Sequence, residues 1–390
     1  MTLAALIILG DDRPSAPVLG LSWPEFRMRS AVGAGARHLV LVTDRVSREL
    51  VEAVDRLKGE GLATTLARGG AEVADLFHPD EAVLLLSGST VVGADQLASL
   101  LGNAKPTLLC IETERAGAGH ELIDASSHWI GIARIDGAQI RATATMVGDW
   151  DLGSILLRKA VSGRAVRTML SGDELLVDAS DAAGAAQASR ALLAAAQIGA
   201  RGWGARSVVQ PVAHLLARSL PAALPMLARF RPWTAILMFA LALLLVGMAW
   251  TSAALAMFLA ALLIAAWAQI AAQVTGIAMK SGKWTATWRG LAAGLSLALM
   301  ALALFPDLTP AVLVAGTIAF AALSDRLAVA DTMPAPLWLA DVAGHALMLF
   351  VASLFGPTGI LIGLALCAMH GLATLAFLQN RLSRVLTSLR

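Results

Sequence analysis

The chain has 390 residues, of which 57% are hydrophobic and 15% are charged, and its formal net charge is +2. A soluble globular chain carries about 25% charged residues, and a net charge this small gives no reason to expect a nucleic-acid partner. No Asp or Glu occurs between Asp181 and Asp307, whereas the preceding residues contain acids throughout. The composition therefore predicts a soluble first half and a membrane-embedded second half.

The first half, residues 1–200, alternates short apolar runs with amphipathic patterns. The apolar runs predict strands at Leu3–Leu9, His38–Thr43, Ala63–Leu66, Ala82–Leu86, Thr107–Ile111 and Trp129–Ile135. The amphipathic patterns predict helices at Pro24–Val32, Ser47–Lys58, Ala94–Leu101, Leu152–Val161 and Ala182–Gln197. This alternation predicts an α/β domain with a mostly parallel sheet and helices on both faces. Ligands bind at the carboxyl ends of such strands, here the loops after Leu9, Thr43 and Leu86.

Two of these loops contain candidate nucleotide-binding residues. Gly10 and Arg13 follow the first strand, where a backbone N–H group and a guanidinium suit a phosphate. The two aspartates between them would repel an anion, so a plain surface turn is the alternative. Gly88 and Ser89 follow the fourth strand, where small residues let a ligand approach the backbone. An ordinary exit from the strand explains them equally well.

Two further acids, Asp149 and Asp151, come directly before the helix predicted at Leu152–Val161. Carboxylate oxygens are ligands for divalent cations, so both residues are metal candidates. Asp is also a favourable residue at the N-cap of a helix. We expect one of the two to serve as that cap.

Residues 201–232 are predicted to form an amphipathic interfacial linker. Its central part, Val208–Phe230, combines leucines with arginines and contains no acid. This composition is typical of a basic helix that lies along a membrane surface. Pro211, Pro221 and Pro225 are expected to break it into short pieces. An ordinary connecting segment is the alternative.

The last part, residues 233–390, contains six apolar runs of a length suited to a bilayer. They lie at Trp233–Trp250, Ser252–Met279, Trp288–Phe305, Pro310–Leu323, Pro336–Phe355 and Pro357–Gln379. Lys and Arg occur in every second connection and are missing from the connections between them. By the positive-inside rule, this pattern predicts a multi-pass protein of the inner (cytoplasmic) membrane, with both termini and the soluble half in the cytoplasm.

The polar residues of these runs that are candidates for a function are Gln269, Gln273, Asp341, His345 and His370. Ionisable groups in a bilayer are costly and mark candidate functional sites. One interpretation makes Asp341, His345 and His370 a proton or metal site facing a cavity. The other makes them contacts between helices, with an Asp–His hydrogen bond and with both glutamines bonded to neighbouring helices. A homodimer formed through the membrane helices is a further expectation.

The order of these parts resembles a family of bifunctional enzymes. Its members join a GT-A-like, MobA-like cytidylyltransferase domain to a CDP-alcohol phosphatidyltransferase membrane domain, as in the inositol-phosphate cytidylyltransferase/phospho-di-inositol-phosphate synthases. Gly10 and Arg13 are similar to the family's opening loop, and Gly35 to its helix–glycine–strand step. Leu84–Gly88 resembles its metal-binding strand end, and Arg206–Arg218 its basic interfacial helix. The resemblance implies a GT-A-like fold, Mg²⁺ and a nucleotide such as CTP or another NTP as cofactors, and a role in polar-lipid or head-group metabolism.

The chain departs from this family at the metal-binding positions. Ser89 stands where the nucleotidyltransferases have an Asp, and a hydroxyl is a poorer ligand for Mg²⁺. The stretch Ala272–Lys280 matches the carboxylate motif of the membrane domain, but it keeps only Gly276 and contains no carboxylate. Two metals need acidic ligands to offset their charge, so we expect phosphotransferase activity to be lost and no cofactor in the membrane domain.

Three hypotheses for function follow. The first is a diverged nucleotidyltransferase/phosphatidyltransferase-like protein whose soluble half binds a nucleotide or sugar nucleotide. If transfer activity persists in that half, Asp149 or Asp151 has to hold the metal. The second is a membrane pseudoenzyme that recruits or regulates a partner in lipid synthesis. The third is a small transporter of lipids or solutes, although the sequence contains no inverted repeat.

Overall fold

The computed structural model describes residues 3–10, 16–117, 119–144, 151–196, 203–229, 251–277, 338 and 341–388. The chain divides into two compact units. The first unit comprises Met1–Ala196, Pro221–Pro225 and Gln273–Ile277, and the second comprises Gln197–Leu220, Met226–Ala272 and Ala278–Arg390.

The first unit contains ten strands and seven α-helices among the described residues. The strands are β1 (Leu3–Ile8), β2 (His38–Val42), β3 (Ala63–Ala67), β4 (Ala82–Leu86), β5 (Thr90–Val92), β6 (Thr107–Glu112), β7 (Glu121–Asp124), β8 (Ser127–Asp136), β9 (Val166–Met169) and β10 (Leu176–Asp178). The helices are α1 (Trp23–Gly33), α2 (Arg48–Gly59), α3 (Gly70–Val73), α4 (Ala94–Leu101), α5 (Gly137–Ala144), α6 (Leu152–Ser162) and α7 (Ala182–Ala195). All six predicted strands and all five predicted helices of this half are confirmed. The short elements β5, β7, β9, β10, α3 and α5 were not predicted.

The main sheet is mixed and mostly parallel, as predicted. Its strand order is β3-β2-β1-β4-β8-β6-β9, with β7 added to β8, and β5 pairs separately with β10. Strands β1 to β4 run parallel to one another, and β6 runs parallel to β9. Strand β8 is antiparallel to its neighbours β4 and β6. The direction of β8 was not predicted, because an apolar run has the same pattern in either direction.

The sheet is buried because its central strands are apolar on both faces. All five residues of β4 are buried, as continuous apolar runs in parallel sheets usually are. Phe77 and Trp129 are the large aromatic residues of the core, and the Trp129 indole N–H donates to the Ile132 carbonyl at 2.9 Å. Helix α2 begins at its N-cap Ser47, whose hydroxyl accepts from the Leu50 N–H at 3.2 Å.

Helices α1 and α2 are joined by a buried network of ion pairs. Glu25, 3% exposed, contacts Arg29 at 3.0 Å and Arg56 at 2.6 Å, and Arg29 also contacts Glu60 at 2.7 Å. Burial by itself raises the pKa of Glu25, but Arg56 and Arg29 outweigh it and hold that pKa below its usual range. The carboxylate is therefore ionised in the folded domain and holds the two helices together.

In the second unit, the π-helical turn Ala205–Val209 leads into α8 (Gln210–Ser219). The expected break at Pro211 is wrong. The Gln210 N–H reaches the Ala205 carbonyl, and Pro211 then occupies the first turn of α8, where its missing N–H costs no hydrogen bond. Helix α8 ends before Leu220, and Pro221–Ala223, which belong to the first unit, form a separate 3₁₀ turn.

Three further helices are described: α9 (Thr251–Thr275), α10 (Val342–Ser353) and α11 (Gly356–Ser388). Within the described ranges, one segment, Leu255–Thr275, is long and apolar enough to cross a membrane, with mean hydropathy 2.2. Two shorter apolar segments are Ala343–Ser353 and Thr358–Thr374.

The six predicted membrane spans can be compared with the described helices only in part. The second and sixth coincide with α9 and α11. The fifth was predicted to begin at Pro336, but its helix begins at Val342, and 12 residues rise only about 18 Å. The first, third and fourth spans lie outside the described residues. The six-span architecture therefore stays a prediction.

Candidate functional site

The sheet has a topological switch point between β1 and β4. These strands are parallel neighbours. From β1 the chain continues through α1 to β2 on one side of the sheet, whereas from β4 it continues through α4 to β6 on the other side. Where successive connections leave in opposite directions, a crevice opens beyond the carboxyl ends of the strands, and α/β proteins bind ligands there. Gly10 lies beyond the end of β1, and Gly88 and Ser89 lie beyond the end of β4.

The loop after β4 is held by a buried arginine of α1. The Arg27 guanidinium donates to the carbonyl oxygens of Ser87 and Gly88, both at 2.8 Å, and of Thr90 at 2.9 Å. Arg27 is 3% exposed and lies 4.8 Å from the centre of the Trp23 ring. Burial lowers the pKa of Arg27 to about 9, so the group remains charged at neutral pH. A positive charge bonded to three carbonyls fixes the shape of this loop.

A glycine of β8 supports the same loop from the sheet. The Ser87 N–H donates to the Gly131 carbonyl at 2.7 Å. Gly131 has φ +84°, and a Cβ there would lie 2.3 Å from the Ser87 carbonyl oxygen. Only glycine permits both this conformation and this approach. The loop is therefore fixed between α1 and β8.

Strand β10 brings a carboxylate to the end of β4. Asp178 pairs with Thr90 between the antiparallel strands β10 and β5, and its Oδ1 accepts from the Ser89 hydroxyl at 2.5 Å. The Ala179 N–H donates to the Ser89 carbonyl at 3.0 Å. Ser89 replaces the expected Asp in sequence, but in space a carboxylate lies directly beside it. Asp178 was missed because 89 residues separate the two positions.

A histidine adjoins this pair. His120 Nδ1 accepts from the Gly117 N–H at 3.0 Å, so in the neutral ring Nε2 carries the hydrogen and donates to the Thr90 hydroxyl at 3.3 Å. The pKa of His120 lies below its usual value, mainly because the ring is partly buried. The charge of Asp178 raises this pKa and His128 lowers it. The ring is therefore mainly neutral at pH 7 and presents a hydrogen-bonding group beside the loop.

Helix α6 begins at the same crevice. Asp151 is its N-cap and accepts from the Ser154 N–H at 2.9 Å, which confirms the capping role. The Ser154 hydroxyl bonds to Asp151 and to Glu121, each at 2.9 Å. Gly153 faces the loop after β4, since a Cβ there would lie 3.1 Å from the Ser87 hydroxyl and 3.7 Å from the end of the Ile8 side chain. The start of α6 therefore forms one wall at the ends of β1 and β4.

The residues of this crevice do not fit a complete Mg²⁺ site. Throughout the ranges given above, no group of three or more His, Cys, Asp or Glu residues could hold a metal ion. The Oδ2 oxygen of Asp151 is already engaged by Ser154, and Asp178 is engaged by Ser89 and Ser180. Arg13 and Asp149 lie outside the described residues.

Asp341, in the apolar half, makes other hydrogen bonds than the predicted one to His345. Asp341 is the N-cap of α10, and its carboxylate accepts from the backbone N–H groups of Gly344 (2.9 Å), Gly204 (3.1 Å) and Ala205 (2.7 Å). The expected bond between Asp341 and His345 is wrong, because neither ring nitrogen of His345 has a partner in the described part of the chain. The carboxylate instead satisfies amides of two separate helical segments.

The two glutamines occupy one helix, as predicted. Gln269 and Gln273 are four residues apart in α9, where Gln269 is half-buried and Gln273 is exposed. Their hydrogen bonds to neighbouring helices, and the homodimer through the membrane helices, stay predictions.

Comparison with known proteins gives only a weak structural likeness. No family model and no curated protein matches the chain. Among solved structures, a protein described as a glucose-1-phosphate thymidylyltransferase from Bacillus anthracis, in complex with sucrose, is similar at 14% sequence identity with a TM-score of 0.39. The match covers 51% of this chain and 98% of that chain. A likeness at this level supports no conclusion about activity.

Proposed function

We propose that the first unit binds a nucleotide or sugar nucleotide in the crevice at the β1/β4 switch point. The observation that carries this proposal is the loop 87–90, which Arg27 and Gly131 hold in a fixed shape where the strand connections diverge. A preformed loop at that position binds without first having to become ordered, which favours affinity.

The groups around the crevice suit a nucleotide. The backbone is open at Gly10 and Gly88, since a Cβ at either would meet nothing within 4 Å, so a phosphate or a base could approach it. Ser154 supplies a hydroxyl oxygen. The Asp178 carboxylate now accepts from Ser89 and Ser180, and in a complex it could accept the hydroxyls of a ribose in place of those serine hydroxyls. These groups favour a polar ligand that carries hydroxyls.

Binding without transfer is the form of this proposal that the described residues favour. Nucleotidyl transfer needs a cation held by several acidic ligands, and the described crevice does not assemble three. A pseudoenzyme that binds nucleotide and regulates a partner in lipid or head-group synthesis is therefore the candidate that these residues favour, and a diverged transferase is the other.

Attachment to the cytoplasmic membrane completes the proposal. Its support is the apolar segment Leu255–Thr275 together with the distribution of Lys and Arg along the second half of the sequence. On this proposal the bilayer is a partner of the second unit, and both termini lie in the cytoplasm.

The test is a binding titration of the full-length protein in detergent micelles. CTP, UTP, dTTP, GTP, ATP and UDP-glucose are titrated by calorimetry, with and without Mg²⁺, and hydrogen exchange of residues 87–93 is measured in parallel. We expect saturable binding of at least one ligand with slower exchange in that loop. Gly88→Ala, at φ +70°, should weaken binding about tenfold or more.

The matched control is Gly69→Ala, because a Cβ at Gly69 also meets nothing within 4 Å and its φ is extended. If no ligand binds at concentrations up to about 1 mM, the proposal is wrong, since weaker binding has little use in a cell. The two candidates are separated by pyrophosphate release in the presence of a sugar phosphate, which only a transferase produces.

A further inference from the structure

Helices α10 and α11 form a closely packed pair within the second unit. A Cβ at Gly359 would lie 2.3 Å from the Ala352 carbonyl oxygen, and one at Gly363 would lie 2.6 Å from the Ala352 Cβ. Small residues four apart let two helix backbones approach closely. This packing brings His345 of α10 against His370 of α11.

The two imidazole rings face one another, with the His345 ring buried and the His370 residue half-buried. Their centroids are 5.5 Å apart and their planes are inclined by 74°. His345 is 2% exposed, and both of its ring nitrogens are buried without a hydrogen-bond partner among the described residues. Buried polar atoms are almost always hydrogen-bonded, because leaving one unsatisfied is destabilising, so these nitrogens are expected to contact a bound water or ion.

The hydrogen bond of His370 fixes its tautomer. Nε2 lies 2.6 Å from the carbonyl oxygen of Trp338, which can only accept, so Nε2 carries the hydrogen. In the neutral ring, Nδ1 then carries no hydrogen and has a free lone pair. This atom is buried and has no hydrogen-bond partner within the described ranges. Metal-bound histidines show this arrangement: one nitrogen donates to a backbone carbonyl and the other binds the metal.

The neighbouring acid does not compete for this place. Asp341 precedes His345 by one helical turn, but its carboxylate is occupied by three backbone N–H groups. The buried thiol of Cys367, one turn before His370, points to the His345 carbonyl at 3.9 Å. The two imidazoles are therefore the free ligating groups of this cluster.

We propose that His345 and His370 together bind a divalent transition cation of the Zn²⁺ class, with His370 Nδ1 as one ligand and a ring nitrogen of His345 as the other. Two imidazoles on one tetrahedral cation, at metal–nitrogen distances of about 2.0–2.1 Å, place their centroids about 5 Å apart, close to the observed separation. Imidazole ligands select Zn²⁺ and similar cations over Mg²⁺. Water or a small anion completes the coordination, since no third protein ligand is assembled among the described residues.

The experiment uses the full-length protein in detergent, stripped of metal with a chelator. Co²⁺ is titrated first, because its absorption in the visible range reports nitrogen coordination and geometry, and Zn²⁺ is then added to displace it. We expect one Co²⁺ per chain and a higher unfolding temperature with Zn²⁺. His345→Ala and His370→Ala should each weaken binding about tenfold or more.

His214→Ala is the matched control, because His214 Nδ1 is also buried and unpartnered in the described structure. It should bind Co²⁺ as the wild type does. If the double variant His345→Ala/His370→Ala folds and takes up as much Co²⁺ as the wild type, the proposal is overturned. If the variants fail to fold, the test is made on the wild-type protein. The proposal is overturned if the wild type shows no Co²⁺ absorption band and is not stabilised by Zn²⁺. The outcome is independent of nucleotide binding.

Discussion

Replacing Arg27 with methionine tests whether a buried charge shapes the loop after β4. Methionine has a similar length but no donor, so the carbonyls of Ser87, Gly88 and Thr90 all lose their common partner. The substitution changes none of the groups that we expect to contact a ligand. Its effect therefore reports on the loop rather than on direct contacts.

Two opposing terms set the expected size of this effect. Burial of the charge disfavours the wild type, as the lowered pKa of Arg27 shows, and the substitution removes that cost. Against this, an unpaired buried carbonyl costs about 1–3 kcal/mol, and a hydrogen bond to a charged group is worth about 1.5–3 kcal/mol. The Thr90 carbonyl is fully buried, whereas water can reach the partly buried bonds to Ser87 and Gly88. We expect a net loss of about 2 kcal/mol, concentrated in the loop.

Hydrogen exchange measured on the full-length protein is the appropriate assay, because it resolves individual segments. A local loss of about 2 kcal/mol corresponds to about 30-fold faster exchange for residues 87–92. If the loop contributes to nucleotide binding, affinity should fall in parallel.

Arg48→Met is the control, because Arg48 is 92% exposed and its ion pair with Glu52 should contribute little. Exchange in residues 87–92 should remain within about twofold of the wild type in this variant. An equally small change in Arg27→Met would show that the buried guanidinium does not hold the loop.

Three further predictions concern single contacts. Gly131→Ala should destabilise the first unit by about 3 kcal/mol or more, because its positive φ and the 2.3 Å approach to the Ser87 carbonyl exclude a Cβ; denaturant unfolding measures this. Glu25 has a pKa held below its ordinary value of 4.5, so its stabilising effect is complete above pH 4.5 and is lost as the pH falls through its folded pKa. Glu25→Gln should cost about 3 kcal/mol at pH 7, and the difference from the wild type should shrink in acid, as unfolding at several pH values would show. Asp341→Asn should lower stability by about 1–2 kcal/mol, because one amide oxygen replaces two carboxylate oxygens that accept three N–H groups; thermal loss of helical circular dichroism is the readout.

Each of these variants has a control of the same chemical type. Gly59→Ala lies in a helix with nothing within 4 Å of the added Cβ, and should not destabilise the protein. Glu52→Gln removes a half-exposed ion pair and should change stability by less than about 1 kcal/mol at any pH. Asp181→Asn alters the cap of α7, which receives a single N–H, and should cost less than Asp341→Asn. A control that lost as much stability as its partner variant would refute the explanation given for that contact.

Local patterns predicted the main elements of the first unit. Apolar runs located the six longest strands of the main sheet, and one of Asp149 and Asp151 was expected to cap the helix that Asp151 does cap. A ligand site was predicted at the carboxyl ends of the strands, in the loops after Leu9, Thr43 and Leu86. Gly10 does follow β1 and Gly88 and Ser89 do follow β4, whereas their part in binding stays a prediction. These features depend on residues that are close together in the sequence, so they can be predicted from the sequence alone.

The parts of the site that come from distant residues could not be predicted. Arg27 precedes the loop that it holds by about 60 residues, and Asp178 follows Ser89 by 89. The pairing of His345 with His370 likewise depends on two separate helices.

The sequence by itself thus determined which segments become strands and helices, because periodicity and capping act over a few residues. The tertiary structure decided the direction of β8 and the contact of Arg27 with the loop after β4. It also decided that Asp178 lies beside Ser89 and that His345 faces His370. The physical reason is that these contacts exist only after burial of the apolar faces has brought distant segments together, and a local pattern carries no record of which segments will meet.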